Sequence, residues 1–478
     1  MLSIILLSVS GLANLFLGFN RSNRLILPFA LLVLTGVLAV TLSGIDTTGA
    51  LAVWNSSPYF KGMLTFDRYA QVFTAVMVMT TLLLLPFSHK YVREQNPNLA
   101  EYYSILLFSL VGAIMMVSYN NLIVLFLGIE TLSIAMYVLA GSEKNNLRSN
   151  EAALKYFLMG CFATGVLLFG MALLYGATGT FDLIQMGLVL QALPAADPTL
   201  QPMMAVGILL VLIGIGFKIS AAPFHFWTPD VYEGTPTVFS GYMSTVVKTA
   251  GIAGFFKLLT FAFGGETNSV WLPTLTAMLV LTLIIGNVGA VAQTNAKRML
   301  AYSSISHAGY LLLALVALRS GFLSMNAIFF YSLAYSVATV IAFGVLKLVH
   351  DQRERDDYEG LNGLARTNPL LAFAMTVSML SLAGIPLTGG FFGKFYLFAA
   401  AAQEGYIGLV VFAVVMSAVG IFYYLRPIMA MYMKPGAEGA DAPVAVSGFQ
   451  SAVLMLLVGL TLLLGVWPGI VEGALKLQ

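Results

Sequence analysis

The feature that most constrains this chain is a series of apolar stretches, each about 20 residues long, separated by short polar connections. A helix of that length spans the roughly 30 Å hydrocarbon core of a bilayer. On that ruler about fourteen spans are predicted, over 1–19, 25–44, 66–88, 101–119, 121–140, 151–175, 203–232, 238–263, 270–293, 300–318, 323–349, 369–402, 406–433 and 447–472. Lipid offers no water to backbone polar groups, so runs of this length span as helices. The predicted fold class is an all-α polytopic membrane protein. Composition points the same way: 59% of the 478 residues are hydrophobic and 9% charged, with a mean hydropathy of +0.89. No water-facing surface of this size tolerates that balance.

Several function classes fall away at once. A net charge of +2, carried by scattered Lys and Arg, argues against nucleic acid and leaves membrane lipid as the expected surround. The single cysteine, Cys161, rules out a disulfide framework or a thiolate-held cluster within the chain, and its apolar neighbours predict a small core residue. There is no G-x-G-x-x-G after a strand, no Walker loop and no Cys/His cluster at metal spacing. The chain is therefore expected to hold no nucleotide, flavin, haem, cluster or metal. Residues 1–19 lack a basic n-region and an A-x-A site, and read as a first span rather than a signal peptide. The segments 45–65 and 176–202 read as connections, the second with an interfacial helix over 181–193.

Loop charge predicts orientation, because Lys and Arg accumulate on the cytoplasmic side. Arg21 and Arg24, Lys90 and Arg93, Lys144 and Arg148, Lys297 and Arg298, Arg353, Arg355 and Arg366, and Lys434 fall on alternate connections. Asp46, Asp182, Asp197 and Glu266 lie on the others. Both termini are thus expected on the outer, periplasmic side.

Two spans are interrupted in the middle. One breaks around 221–223 at Pro223, just after Lys218; the other breaks where Gly384, Pro386, Gly389, Gly390 and Gly393 cluster ahead of Lys394. Proline removes a backbone donor, and in a membrane the freed polar groups must face protein or trapped water. The interrupted spans are the seventh and the twelfth. A repeat five spans long is odd-numbered and inverts topology, as in many transporters. The expected organisation is three N-terminal helices (1–100), a first five-helix repeat (101–265), a second, inverted repeat (266–435) and a C-terminal helix (436–478).

An ionisable group at mid-span costs about 2.5 to 3.5 kcal/mol to insert, so such groups mark function or pairing. Glu130, Lys155, Lys218, Lys248 and Lys394 are the candidates for proton translocation, with His225 and His307 as candidate relays. Desolvation weakens a lysine's hold on its proton and a nearby carboxylate strengthens it. Glu130 is the expected partner of Lys218 or Lys155: paired, the lysine keeps its proton; separated, it gives it up. Structural ion pairing is the competing explanation, and the i,i+4 pair Glu151 and Lys155 is a local instance. Lys257 and Lys347, nearer span ends, are expected to snorkel; His89, His350 and Arg426 read as border residues.

At these residues the sequence resembles a known family. The blocks GFKISAAPFHFWTPDVYEGTPTVFSGYMSTVVKTAG, QTNAKRMLAYSSISHAGYLLLALVAL and MLSLAGIPLTGGFFGKFYLF are similar to the antiporter-like membrane subunits of bacterial NADH:quinone oxidoreductase, respiratory complex I. GKF at the second break and the lysine of STVVKTAG favour the N type over the L and M types. The resemblance implies fourteen helices, two inverted repeats and location in the bacterial inner membrane beside other complex I membrane subunits. It implies proton transfer by Glu130 with Lys218, then Lys248, then Lys394, with Lys155, His225 and His307 in shared motifs. NADH, FMN, iron-sulfur clusters and quinone are implied for other subunits. The alternatives are a subunit of a multisubunit sodium/proton antiporter, which uses the same fold, and a non-pumping structural spacer.

Overall fold

A computed structural model describes residues 1–19, 23–45, 60, 62–88, 99–318, 322–436 and 443–472. Arg21, Asp46, His89, Lys90 and Arg93 lie outside the described residues, as do the side chains of Arg24 and Glu266. The longer helices, in chain order, are α1 (Leu2–Phe19), α2 (Asn23–Ile45), α3 (Arg68–Leu84), α4 (Leu99–Ser118), α5 (Leu122–Ala140) and α6 (Leu147–Thr178). Then come α7 (Leu183–Ala196), α8 (Gln201–Lys218), α9 (Trp227–Gly234), α10 (Thr237–Tyr242), α11 (Lys248–Phe261) and α12 (Asn268–Val291). The remainder are α13 (Ala296–Val316), α14 (Phe322–Arg353), α15 (Pro369–Ala383), α16 (Gly389–Gln403), α17 (Ile407–Met433) and α18 (Gly448–Val466).

The helix starts are written locally. Asp67, Asn121, Asn146 and Asn295 each cap the helix that follows, their side chains accepting from backbone N–H groups, and Ser447 with Gln450 forms a capping box for α18. These short acceptors satisfy donors that the first turn leaves free. Twelve stretches among the described residues are long and apolar enough to cross a membrane. Two further predicted spans are interrupted instead. Residues 238–263 form one rod of α10, a π-helical turn over Met243–Val247 and α11, and 369–402 divides into α15 and α16.

α13 and α14 are the most enclosed spans, each with 94% of its apolar window buried, against 22% for α1 and α17. They form the middle of the molecule, and α14 packs on α10, α13, α15, α16 and α18. Loops gather at two ends. Bridges Leu64 to Tyr119 and Asn121 to Asp182 tie one end together; Asn295 to Asp357 ties the other. Lys144, Arg148, Lys297, Arg298, Arg353 and Arg355 belong to the second end, as the alternation of loop charge predicts.

Cys161 is exposed on the outside of the helix bundle rather than in its core. An apolar neighbourhood in sequence does not separate core from lipid face, since both are apolar. Lys257 and Lys347 do not snorkel: they are 3% and 2% exposed, covered by neighbouring elements that linear position does not reveal. Lys347 pairs with Asp351. Lys257 Nζ has no hydrogen-bond partner among the described residues and lies 5.6 Å from the centre of the Tyr119 ring.

Candidate functional site: a buried file of titratable side chains

Both breaks are built so that their freed backbone groups find partners. After α8, Ser220 adopts a positive φ of 63°, Ala221 N bonds to Gly216 O at 2.8 Å, and Ala222 N donates to Thr282 Oγ1 of α12 at 2.9 Å. Trp227 Nε1 donates to Phe217 O at 3.1 Å. At the second break Gly384 ends α15 with φ 84°, and Gly390 N donates to Ser381 Oγ at 3.1 Å. Lys394 Nζ, on α16, donates to Ala383 O at 2.9 Å and to Ser417 Oγ at 2.8 Å. The Lys394 amine thus sits at the carbonyl end of α15, where the helix dipole favours its charged form.

The four buried members of the file, Lys218, Lys248, Lys394 and His307, are 2% to 5% exposed. Lys218, the last residue of α8, donates to Ser133 Oγ at 2.7 Å and lies 5.9 Å from the Tyr156 ring centre. Ser133 follows Glu130 by three residues on α5, so both face the same neighbour. Among the described residues no ion pair within 4.0 Å joins Glu130 to Lys218, and Glu130 Oε1 is buried without a hydrogen bond. The expected pair is therefore separated, with a serine holding the ammonium.

Lys248 begins α11 directly after the π turn, a feature that widens a helix and recurs at functional positions. Its Nζ donates to Ser304 Oγ at 2.5 Å and to Ser304 O. Gly251, one turn on, lets α11 approach the first break: a Cβ there would meet Ile219 Cγ2 at 2.7 Å. Ser244 Oγ bridges Ser304 Oγ (3.1 Å) and Tyr335 Oη (2.6 Å).

α13 carries the file onward. His307 shares hydrogen bonds with Tyr331 Oη through Nδ1 and with Tyr424 Oη through Nε2, the latter at 2.8 Å. Tyr424 Oη donates to Ser303 Oγ at 2.7 Å. Tyr310, one turn further, lies with its ring centre 4.9 Å from Lys394 Nζ. One helix thus presents Ser304, Ser303, His307 and Tyr310 in order between the two lysines.

Two expected members stand apart. Lys155 pairs with Glu151 and Asp230, each at 2.7 Å, and its side chain is 35% exposed. Asp230 also meets Arg298 (2.8 Å), which reaches Glu233 (2.7 Å). Lys155 therefore sits in an ion-pair network near the loop end, not with Glu130, because the turn at α9 brings Asp230 beside it. His225 is 8% exposed, its ring lies tilted against Phe226 with centroids 4.8 Å apart, and its Nδ1 has no hydrogen-bond partner among the described residues. No direct hydrogen bond among the described residues joins it to Lys218 or Lys248.

Sequence reasoning passed over Ser133, Ser303, Ser304, Tyr310, Tyr331, Tyr335, Ser417 and Tyr424. Helical spacing from a charged residue exposes some of them: Ser133 is three from Glu130, and Ser303, Ser304 and Tyr310 lie within four of His307. Those on α14 and α17 carry no such local signal. Beyond the spans, burial pushes the Asp356 carboxyl up, but His350, whose Nδ1 lies 3.0 Å from Asp356 Oδ1, and the charges of Lys297 and Arg148 hold it below the ordinary carboxylate range. Among the described residues no group of three His, Cys, Asp or Glu side chains could hold a metal ion.

Fold and site define a polytopic α-helical membrane protein of the antiporter-like class. Residues 119–420 match the family described as NADH:quinone oxidoreductase/Mrp antiporter, TM, and the chain belongs to that family. It is 38% identical over 475 residues to NADH-quinone oxidoreductase subunit N of Flavobacterium johnsoniae, covering 98% of each chain. A chain of respiratory complex I from Thermus thermophilus with bound aureothin superposes with a TM-score of 0.80 at 34% identity, covering 99% of both. A chain of the Mrp complex from Dietzia sp. shares the fold, with a TM-score of 0.84 at 21% identity over 99% of this chain and 96% of that one.

Proposed function

We propose that this chain is the proton-translocating N-type membrane subunit of NADH:quinone oxidoreductase, respiratory complex I, in the bacterial inner membrane. The observation that carries the reading is the file along α13, which links Lys248 to Lys394 between two interrupted helices. Near full-length similarity to subunit N of Flavobacterium johnsoniae supports the particular assignment.

In this reading Lys218 and Glu130 form the first switch. Moving Glu130 toward Lys218 retains the proton, and moving it away releases the proton toward Lys248. Ser304 holds the Lys248 ammonium; His307, with a tyrosine hydroxyl on each ring nitrogen, relays through Tyr424 and bound water; Lys394 receives the proton at the second break and passes it outward. Histidine suits that step because either nitrogen donates or accepts. Electron transfer from NADH to quinone occurs in other subunits, which hold the FMN and iron-sulfur clusters. The two breaks belong to five-helix repeats over 101–265 and 266–435, within fourteen spans, and both termini face the periplasm.

Both breaks also reach the flank of the molecule: Phe226 is 67% and Leu387 68% exposed. Irregular backbone at membrane depth requires protein cover, which supports neighbouring membrane subunits on both sides.

The test is Lys218→Ala and Glu130→Ala in the assembled complex, with NADH-driven proton pumping measured in inside-out vesicles. Pumping is expected to fall at least tenfold for Lys218→Ala; an unchanged rate rejects the reading. Sodium-dependent proton exchange without NADH and quinone would instead favour the sodium/proton antiporter. Loss of assembly together with activity would favour a structural spacer.

A further inference from the structure

The loop end of the molecule holds a polar cavity of about 290 Å³ that none of the steps above uses. Its walls come from the loop before α6, the turn between α9 and α10, the start of α13 and the end of α14. Each water needs roughly 10 to 15 Å³ of such space, so the cavity has room for a cluster of them. Two deeply buried lysines form its inner wall, Lys297 (4% exposed) and Lys347 (2%). Lys297 Nζ donates to Glu233 O at 3.1 Å and Thr235 O at 2.5 Å. Lys347 is held by Asp351.

Inward of that wall the packing is polar where an apolar seam would be cheaper. Ser304 lies seven residues beyond Lys297 on α13, about 10.5 Å along the helix. On α14 the sequence from Lys347 toward the membrane centre reaches Thr339, Ser336 and Tyr335, and Tyr335 bonds to Ser244 beside Ser304. Thr235 Oγ1 and Ser336 Oγ are fully buried yet have no hydrogen-bond partner among the described residues. Buried hydroxyls are almost always satisfied, and water is the remaining partner. Orphan hydroxyls strung between a wet cavity and a buried ammonium mark a hydrated seam.

We infer that this cavity is a proton inlet that opens on the Lys297 and Lys347 end and feeds Lys248 directly through the seam between α13 and α14. The route bypasses Lys218, so the middle of the file is refilled independently of the first break. The mouth is lined by the carboxylates Glu143, Glu233 and Asp356 interleaved with Arg148 and Arg355, so protons exchange there through the carboxylates. Lys297 and Lys347 act as positioning residues that set the field there. This inference rests on the proton-pump reading given above.

The test uses the assembled complex in inside-out vesicles and compares protons pumped per NADH oxidised. Ser336→Leu fills the seam, while Ser336→Thr keeps a hydroxyl. At least a twofold fall in the ratio for Ser336→Leu, with Ser336→Thr close to the parent, is the expected result. Lys297→Met is expected to lower the ratio and Lys297→Arg to restore most of it. If Ser336→Leu and Lys297→Met both pump at the full ratio while Lys248→Met does not, the inlet is refuted and the pump reading stands. If Lys248→Met also pumps at the full ratio, the pump reading fails and the inlet with it. A variant complex that does not assemble is replaced by Thr235→Val, which removes the other orphan hydroxyl with almost no change of shape and is judged by the same ratio.

Discussion

Lys394 closes the second helix break by donating to the carbonyl of Ala383 at 2.9 Å. The side chain thereby does two things: it satisfies a backbone acceptor that α15 leaves free, and it holds an ammonium at the end of the buried file. Release of its proton weakens a contact that shapes the break, which ties the geometry of the backbone to the charge of the lysine. Lys394→Met is expected to abolish most pumping in assembled complex, by at least tenfold, and to leave the Ala383 carbonyl unsatisfied at a cost of about 1–3 kcal/mol. Pumping and thermal stability of the purified complex check the two halves of that statement.

Gly384 makes the contact possible. A Cβ there would lie 2.9 Å from Lys394 Cδ, and φ is +84°. Gly384→Ala is expected to destabilise by about 1–3 kcal/mol from the strained backbone and to lower pumping several-fold by displacing the lysine. Parent-like pumping in this variant would show that the position of Lys394 is unimportant.

Ser133, not Glu130, accepts the hydrogen bond from Lys218 Nζ. Ser133→Ala removes the hydrogen bond to Nζ, costs about 1–3 kcal/mol for the unpaired buried donor, and is expected to reduce pumping less than Lys218→Ala does. Equal losses in the two variants would mean that the serine, not the charge, is essential.

Tyr424 bridges His307 and Ser303. Tyr424→Phe keeps the ring packing and deletes both bonds, so a several-fold fall in pumping with unchanged assembly is expected. An unaltered pumping rate would exclude this hydroxyl from the path.

Lys155 provides the contrast. Its ion pairs are partly solvated, and such pairs contribute little. Lys155→Ala is expected to retain most of the pumping rate measured beside Lys218→Ala in the same vesicles; a tenfold loss would return Lys155 to the file.

Where the sequence reading failed, the reason is spatial. Lys155 and Glu130 both sit in apolar runs, and nothing linear shows that α9 turns to place Asp230 against the lysine. Lys257 and Lys347 lie near span ends, where a free stem reaches water, but their surroundings close over them. Cys161 shows the reverse case, an apolar segment whose face turns outward. His225 is next to the break in sequence, yet its ring lies against Phe226 and its Nδ1 has no hydrogen-bond partner among the described residues.

By itself the sequence determined the membrane-spanning fold class, the helix starts, the two interruptions and the rare charges Glu130, Lys218, Lys248 and Lys394 within spans. These follow from insertion cost, capping and proline or glycine chemistry, all of which act over a few residues. Only the tertiary structure decided that Ser133 is the hydrogen-bond partner of Lys218, and that α13 presents Ser304, His307 and Tyr310 as the link between two lysines. It alone assembled the cavity beside Lys297 and Lys347 from four distant segments. Hydrogen-bond partnership depends on ångström-scale proximity between helices remote in the chain, and no local pattern encodes it.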